Sequence, residues 1–234
     1  MRPRSRPSVA PAAAPSCAGA ARRSIVTLYR ERTKDGSYPS LIVNSIDLKR
    51  LLDLVAADRL TELASWFGTE IRRLADAGAD FGLLSSNTPH IVFDALSAAA
   101  PIPLISIVET ACQAATRQGL RRVGLLGTRF TMQGRFYDEA FSKAGIEVVT
   151  PGADDQTFVH EKYMSELVRG VFLPETRAAM CAVIERLRRD ERIDGVVLAG
   201  TELTPLLRGA GELGISVLDT TMLHVERVVD RLVS

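Results

Sequence analysis

The stretch that decides the fold is FGLLSSNTPH, residues 81–90, in which an apolar run passes directly into a polar turn. A helix-like run of apolar residues follows from 91 to 99. A buried strand, a polar turn and a helix in this order are the repeating unit of an open parallel α/β sheet. Ligands of such sheets bind outside the carboxyl ends of the strands, so we predict that this turn belongs to a binding site.

The same order of strand, polar turn and helix recurs further along the chain. Residues 122–128 (RVGLLGT) and residues 194–202 (DGVVLAGTE) both pass from an apolar run into Gly-Thr. Four other apolar runs have the length of strands and alternate with helical segments: 41–45, 101–107, 145–149 and 215–219. Continuous apolar strands are typical of parallel sheets covered on both faces. We therefore predict an α/β fold of two Rossmann-like lobes with parallel sheets and an interlobe cleft.

The first 23 residues differ from the rest of the chain. They are rich in Pro, Ala, Ser and Arg, contain no acidic residue and show no apolar periodicity. Such a composition is typical of disorder, and we interpret residues 1–23 as a disordered tail. We assign residues 24–114 together with 215–234 to the first lobe, and residues 115–214 to the second.

Composition excludes several classes of function. The net charge of +1 gives no electrostatic basis for binding nucleic acid or an anionic membrane surface. No apolar run approaches the roughly 20 residues of a membrane helix. The three cysteines are widely spaced and odd in number, which argues against a disulfide framework and favours a reducing cytoplasm. We expect a cytoplasmic protein with neither nucleic acid nor membrane as a partner.

The motif of a phosphate-binding P-loop is missing from the sequence. GxxxxGK[ST] does not occur, so a nucleotide cofactor held by such a loop has little support. His90, His160 and His224 are far apart and form no HExxH pair, so a metal site is not expected. We predict that the protein uses no cofactor.

The polar turns carry the positive evidence for a ligand. Hydroxyl, amide and backbone N–H groups at the start of a helix are suited to bind a carboxylate. Three turns offer such groups: Ser86-Asn87-Thr88, Thr128 with Thr131, and Gly200-Thr201-Glu202. Each turn alone has a plainer explanation, because Ser, Thr and Asn are common N-caps. Three such turns in one α/β chain favour the binding of a small carboxylate or amino acid.

Several motifs, in order, resemble those of the aspartate/glutamate racemase superfamily. They are residues 84–90, 101–104, 126–132, 200–203, and 219–221 with His224. The resemblance extends from about residue 24 to the end of the sequence. It implies two pseudo-symmetric α/β lobes, a cofactor-independent site between them and a homodimer.

The resemblance also implies two catalytic cysteines, and this sequence departs from the family at both. In these racemases one thiolate removes the Cα proton and the other thiol returns a proton to the opposite face. The matching positions here are Ser86 and Gly200. Cys112 and Cys181 fall inside predicted helices, where a packing role is expected. Cys17 lies in the predicted tail.

Three functions stay open at this point. The first is a racemase or isomerase of a small amino acid or dicarboxylate, with Ser86 and Glu202 as the catalytic groups. The second is a catalytically silent relative that still binds a small acid. The third is a reaction with one base, for which Glu202, His90 and Asp219 are candidates.

In the first of these functions, the remaining polar residues of the turns hold the substrate carboxylates. The predicted substrate-binding residues are Asn87, Thr88, Thr128, Thr131, Gly200 and Thr201.

Overall fold

The computed structural model describes residues 8–12, 15–208 and 213–234, and these fall into two compact units. The first unit comprises the described residues up to Ile107 together with His224–Ser234, and the second unit is Val108–Leu223. Each unit contains one four-stranded parallel sheet. The predicted α/β class with parallel sheets is confirmed.

The sheet of the first unit has the strand order β2-β1-β3-β4. Its strands are β1 (Ser8–Ala12), β2 (Leu41–Ser45), β3 (Gly82–Leu83) and β4 (Leu104–Ile105). Its helices are α1 (Pro15–Thr33), α2 (Leu48–Ala56), α3 (Leu60–Asp76) and α4 (Phe93–Ala99), with a 3₁₀ helix at Thr88–Val92. The 3₁₀ helix separates the polar turn after β3 from α4, where the sequence predicts a direct passage from turn to helix.

The prediction of a disordered tail at residues 1–23 is wrong for every residue of that stretch that the structure describes. Strand β1 pairs in parallel with β2 from Ser8↔Leu41 to Ala12↔Ser45, and its Val9 pairs with Gly82 of β3. The strand was missed because SVAPA contains Pro and Ala, which are depleted in strands. Hydrogen-bonding partners on both sides override this weak local preference. Residues 1–7 and 13–14 of the predicted tail lie outside the described residues.

Helix α1 also begins earlier than predicted, at Pro15 rather than at residue 24. Proline suits the first position of a helix, and the alanines that follow are strong helix formers. Cys17, predicted to lie in a tail, is therefore part of this helix. Ala21, Ile25 and Tyr29 recur every four residues and are buried, so one face of α1 packs into the core.

The core of the first unit joins the two ends of the chain. Helix α11 (Thr220–Val233) begins in the second unit and ends in the first. Its apolar face packs with α1 and β3 in one cluster: Ile25, Tyr29, Phe81, Leu83, Val225, Val228, Val229 and Leu232. Burying one such side chain contributes about 1.5–3 kcal/mol to folding, so both ends of the chain stabilise this unit.

The sheet of the second unit has the strand order β6-β5-β7-β8. Its strands are β5 (Arg122–Gly127), β6 (Glu147–Val149), β7 (Gly195–Ala199) and β8 (Ser216–Asp219). Its remaining helices are α5 (Ile107–Arg117), α6 (Arg129–Gln133), α7 (Phe136–Ser142), α8 (Ala153–Ser165), α9 (Pro174–Glu191) and α10 (Leu203–Leu206). Every residue of β7 is buried, as expected for a central strand covered on both faces.

The predicted lobe boundaries are wrong at both points where the chain passes from one unit to the other. Strand β8 was assigned to the first lobe, but it pairs with β7 from Gly195↔Ser216 to Leu198↔Asp219 and belongs to the second sheet. The chain returns to the first unit at His224, inside α11, rather than at residue 215. The first crossing lies after Ile107, at the start of α5, rather than at residue 114. Apolar runs identify strands, but they do not indicate which sheet a strand joins.

The helices of the described residues include none with the length and apolar character needed to cross a membrane.

Candidate functional site

Two of the predicted turns lie side by side in the second unit. The register between β5 and β7 ends at Gly127↔Ala199, so Thr128 and Gly200 both follow directly at the same sheet edge. A Cβ added at Gly127 would lie 2.7 Å from the carbonyl oxygen of Ala199. Glycine at this position therefore permits the close approach of the two strands just before their turns.

The first of these turns is held by its own hydroxyl groups. Thr128 has an extended backbone and is the N-cap of α6, where its Oγ1 accepts the backbone N–H of Thr131 at 3.3 Å. The two threonine Oγ1 atoms lie 3.1 Å apart, and both residues are buried. The capping explanation thus applies to Thr128. Its role in binding a substrate stays a prediction.

The second turn holds a buried carboxylate. Glu202 is only 6% exposed, and its Oε2 accepts a hydrogen bond from Oγ1 of Thr201 at 2.5 Å. The same oxygen accepts a hydrogen bond from the hydroxyl of Tyr163. A buried carboxylate needs donors of this kind because burial removes its hydration. Thr201 therefore contacts the predicted catalytic group Glu202 directly.

Helix α8 supplies two residues that the sequence did not indicate as part of the site. His160 accepts the backbone N–H of Arg129 on its Nδ1 at 3.2 Å, beside the first turn. Tyr163, three residues later on the same face of the helix, reaches Glu202 in the second turn. The spacing of His160 and Tyr163 on one helix is visible in the sequence, but their contacts depend on tertiary packing.

Nδ1 of His160 carries no proton in this hydrogen bond, because it accepts the N–H of Arg129. Burial lowers its pKa, and the positive charge of Arg129 lowers the pKa further. Its ring also packs edge-on against Phe130, with the ring centres 6.0 Å apart. His160 therefore acts as a hydrogen-bond acceptor that fixes the first turn against α8.

The third strand-end turn of this unit has a structural role. Oδ1 of Asp219 accepts hydrogen bonds from Oγ1 of Thr204 at 2.9 Å and from the backbone N–H groups of Thr221 at 3.0 Å and Met222 at 3.1 Å. This is the pattern of a helix cap at the start of α11. Asp219 is thus the weaker of the two acidic candidates for a single base.

In the first unit, the turn after β3 is anchored by His90. Nε2 of His90 accepts the backbone N–H of Ile107 at 3.2 Å, and Nδ1 lies 2.9 Å from the carbonyl oxygen of Ser86. Since Nε2 accepts, Nδ1 carries the proton and donates to Ser86. Burial lowers the pKa of His90 to about 3, and neighbouring His224 adds to the shift. Both ring nitrogens are engaged by backbone, so His90 positions the turn and is not the base.

The predicted ligand groups of the first unit surround this anchor. Asn87 and Thr88 are buried, and Ser86 is half-buried. Asn87 makes no side-chain cap to the 3₁₀ helix that follows, so capping does not explain its presence. The hydroxyl of Ser85 is buried without a hydrogen-bond partner among the described residues. A buried hydroxyl in this state is consistent with a ligand or solvent contact.

The predicted site residues therefore fall into two groups. Ser86, Asn87 and Thr88 belong to the first unit. The second unit brings together the larger group: Thr128, Thr131, Gly200, Thr201 and Glu202. Cys112 and Cys181 lie within α5 and α9, as predicted.

Comparison with known proteins gives a consistent result across the chain. A family model described as Asp/Glu/Hydantoin racemase matches residues 15–228. A protein of Pectobacterium carotovorum subsp. carotovorum, named only as an uncharacterized protein in the pnlA 3′ region, is 31% identical over 107 residues, which are 44% of this chain and 67% of that protein.

Solved structures match over nearly the whole length. A protein from Yersinia pestis that is provisionally named an Asp/Glu racemase superimposes with a TM-score of 0.87 and 27% identity, covering 97% of this chain and 100% of that one. An aspartate racemase homologue from Pyrococcus horikoshii has a TM-score of 0.84 and 26% identity, covering 98% and 100%. A glutamate racemase from Francisella tularensis in complex with D-glutamate shares the fold at a TM-score of 0.68 and 16% identity, covering 99% and 82%.

Proposed function

Because this chain belongs to the Asp/Glu/Hydantoin racemase family, we propose that it binds a small amino acid or dicarboxylate and acts on it as a cofactor-independent, racemase-like isomerase. The proposed ligand lies at the turns that end β5 and β7. The family model covers both turns, and the similarity to Asp/Glu racemases extends over the whole fold. These comparisons support the class of ligand.

The observation that carries the proposal is the buried carboxylate of Glu202. It lies at the carboxyl edge of the sheet, where α/β proteins bind their ligands. Hydroxyl donors from Thr201 and Tyr163 converge on one of its oxygens. A carboxylate held in this way suits the task of a general base.

The proposed reaction uses Glu202 as the base. The Cα–H bond of the ligand breaks, the proton moves to the Glu202 carboxylate, and the electron pair is delocalised onto the carboxylate of the ligand. Hydroxyl and N–H groups of the turns stabilise the added charge on that carboxylate. Return of a proton from Glu202 to the same face regenerates the ligand with its Cα–H exchanged. Return to the opposite face, after the planar carbanion has turned over in the site, gives the other enantiomer.

A catalytic role for Ser86 stays a prediction. It is the residue that the family resemblance matches to the first cysteine. A hydroxyl is a far weaker base than a thiolate, so proton removal is assigned to Glu202. Asn87 and Thr88, which are buried in the first unit, stay predicted carboxylate-binding residues.

The proposal is tested by proton exchange. Purified protein is incubated with L-aspartate or L-glutamate in deuterated water, Cα–H loss is followed by NMR, and D-enantiomers are measured by chiral chromatography. We expect exchange in the natural protein and a loss of roughly 100-fold or more in Glu202→Gln, which keeps the shape and removes the base. The matched control is Glu161→Gln on the exposed side of α8, which should keep the full rate.

A second candidate is a catalytically silent relative that binds the same small acids. It is favoured by the absence of a thiol at residues 86 and 200. This candidate predicts no exchange and no D-enantiomer, together with a rise in melting temperature when aspartate or glutamate is added. The absence of both exchange and a thermal shift would contradict both candidates.

A further inference from the structure

The space beside Gly200, where a side chain would lie, is occupied by the ring of Tyr163. A Cβ added to it would lie 2.5 Å from Cε2 of Tyr163, 2.9 Å from Oη and 3.0 Å from Cζ. Non-bonded carbon atoms normally stay about 3.5–4.0 Å apart. The phenol ring therefore occupies the volume in which a side chain of residue 200 would begin.

The hydroxyl of the same ring is hydrogen-bonded to the proposed base. Tyr163 donates to Oε2 of Glu202, and both side chains are 6% exposed. A hydrogen bond from a hydroxyl to a carboxylate is charge-assisted and about twice as strong as one between neutral groups. Without it, Oε2 of Glu202 would lose a hydroxyl donor in a buried position.

The helix that carries Tyr163 is fixed independently at the neighbouring turn. His160 accepts the backbone N–H of Arg129 at 3.2 Å, one helical turn before Tyr163. The position of the phenol is therefore set by the packing of α8 against both turns, and not by the bond to Glu202 alone.

We propose that Tyr163 is the positioning residue of this site, which fills the space beside Gly200 and holds the Glu202 carboxylate in place for its reaction. The catalytic part of this inference rests on the function proposed above. The spatial part, in which residues 163 and 200 share one volume, does not depend on that function. Each part has its own experiment.

The spatial part is tested by a double-mutant cycle. Gly200→Ala should lower the melting temperature by roughly 4–8 °C because the added methyl group overlaps the Tyr163 ring. The same change in a Tyr163→Ala background should lower it by less than about 2 °C, because the ring is gone. Equal losses in the two backgrounds would overturn the spatial part, whether or not the protein has any activity.

The catalytic part is tested with Tyr163→Phe, which keeps the ring and removes the hydroxyl. We expect the turnover of Cα–H exchange to fall roughly tenfold, with KM changed by less than about threefold, because the hydroxyl acts on the base and not on the ligand. The control is Tyr29→Phe, whose hydroxyl accepts one long bond from Ser37 at 3.5 Å in the first unit. An unchanged turnover in Tyr163→Phe would overturn the positioning role.

The two parts fail in distinguishable ways. If the natural protein shows no exchange, the proposed function is wrong. The double-mutant cycle of residues 163 and 200 then still tests whether the two residues share one volume. If the natural protein shows exchange and Tyr163→Phe has the same turnover, Glu202 acts without help from the phenol.

Discussion

His90 donates a hydrogen bond from Nδ1 to the backbone carbonyl oxygen of Ser86, at 2.9 Å. The acceptor role of the other ring nitrogen toward Ile107 fixes this tautomer. The histidine that follows the polar turn therefore holds the turn in shape and leaves proton transfer to other groups. The sequence alone leaves His90 among three candidate bases, with Glu202 and Asp219.

Acid should unfold the protein through its buried histidines. Burial lowers the pKa of His90 to about 3 and that of His224 to about 4, against 6.5 for an ordinary histidine. Because the folded-state pKa values are depressed, the neutral rings favour folding above pH 6.5, and that stability is lost as the pH falls toward 4. We expect a loss of about 1.4 kcal/mol per pH unit for each histidine within this window, measured by urea unfolding.

The matched variant for this prediction is His90→Gln, which can still donate to and accept from backbone but does not titrate. Its free energy of unfolding should fall less steeply between pH 6.5 and 4 than that of the natural protein. The same slope in both proteins would contradict a neutral, buried His90.

Strand β1 should contribute strongly to stability in spite of its composition. Val9→Pro removes a backbone N–H in a strand that has partners on both sides, and we expect it to cost about 3 kcal/mol or more. Val9→Ala keeps the N–H group and should cost about 1 kcal/mol or less. Chemical denaturation measures the free energy of unfolding of both variants. Equal small losses would show that the pairing of β1 does not contribute to stability.

Asp219 should act as a cap and not as a base. All three of its hydrogen bonds are accepted by Oδ1, so Asp219→Asn can keep them, whereas Asp219→Ala cannot. We expect Asp219→Ala to lower the free energy of unfolding by about 1–2 kcal/mol and Asp219→Asn to change it by a few tenths at most. A large loss of proton exchange in a stable Asp219→Asn protein would instead restore Asp219 as a catalytic candidate.

Two glycines should respond to alanine in opposite directions. Gly127→Ala places a methyl group 2.7 Å from the carbonyl oxygen of Ala199, and we expect a cost of about 1–3 kcal/mol. Gly68 lies inside α3, and the added carbon would have nothing within 4 Å beyond the adjoining residues and backbone of its own helix, so Gly68→Ala should stabilise the protein by about 0.5–1 kcal/mol. Thermal melts of the two variants check the sign of each effect.

Much of the second unit could be predicted from its sequence. The apolar runs before Thr128 and Gly200 are the strands β5 and β7, because a strand buried on both faces needs a continuous apolar sequence. Strand β1 could not be predicted, since its stability comes from two neighbouring strands far along the chain. The sheet to which β8 belongs is likewise decided by pairing and not by local sequence.

The site was predictable only in part, for a related reason. The pattern of strand and polar turn predicted that Thr201 and Glu202 follow a strand, and they follow β7. Their part in a site stays a prediction. Tyr163 lies within a helix, and its contact with Glu202 joins residues 39 positions apart. Gly200 was recognised as a departure from the family, but only the structure shows that Tyr163 fills its space.

The path of the chain through its two units sets the order in which they can form during synthesis. The second unit is a single continuous segment, Val108–Leu223, whereas the first takes its closing residues from His224–Ser234. Val225, Val228, Val229 and Leu232 complete a core that already contains Ile25 and Tyr29. On the ribosome the second unit can therefore fold while the first still exposes apolar surface, which α11 covers last. The amino-terminal part of the nascent chain would thus keep this apolar surface exposed until α11 has been synthesised.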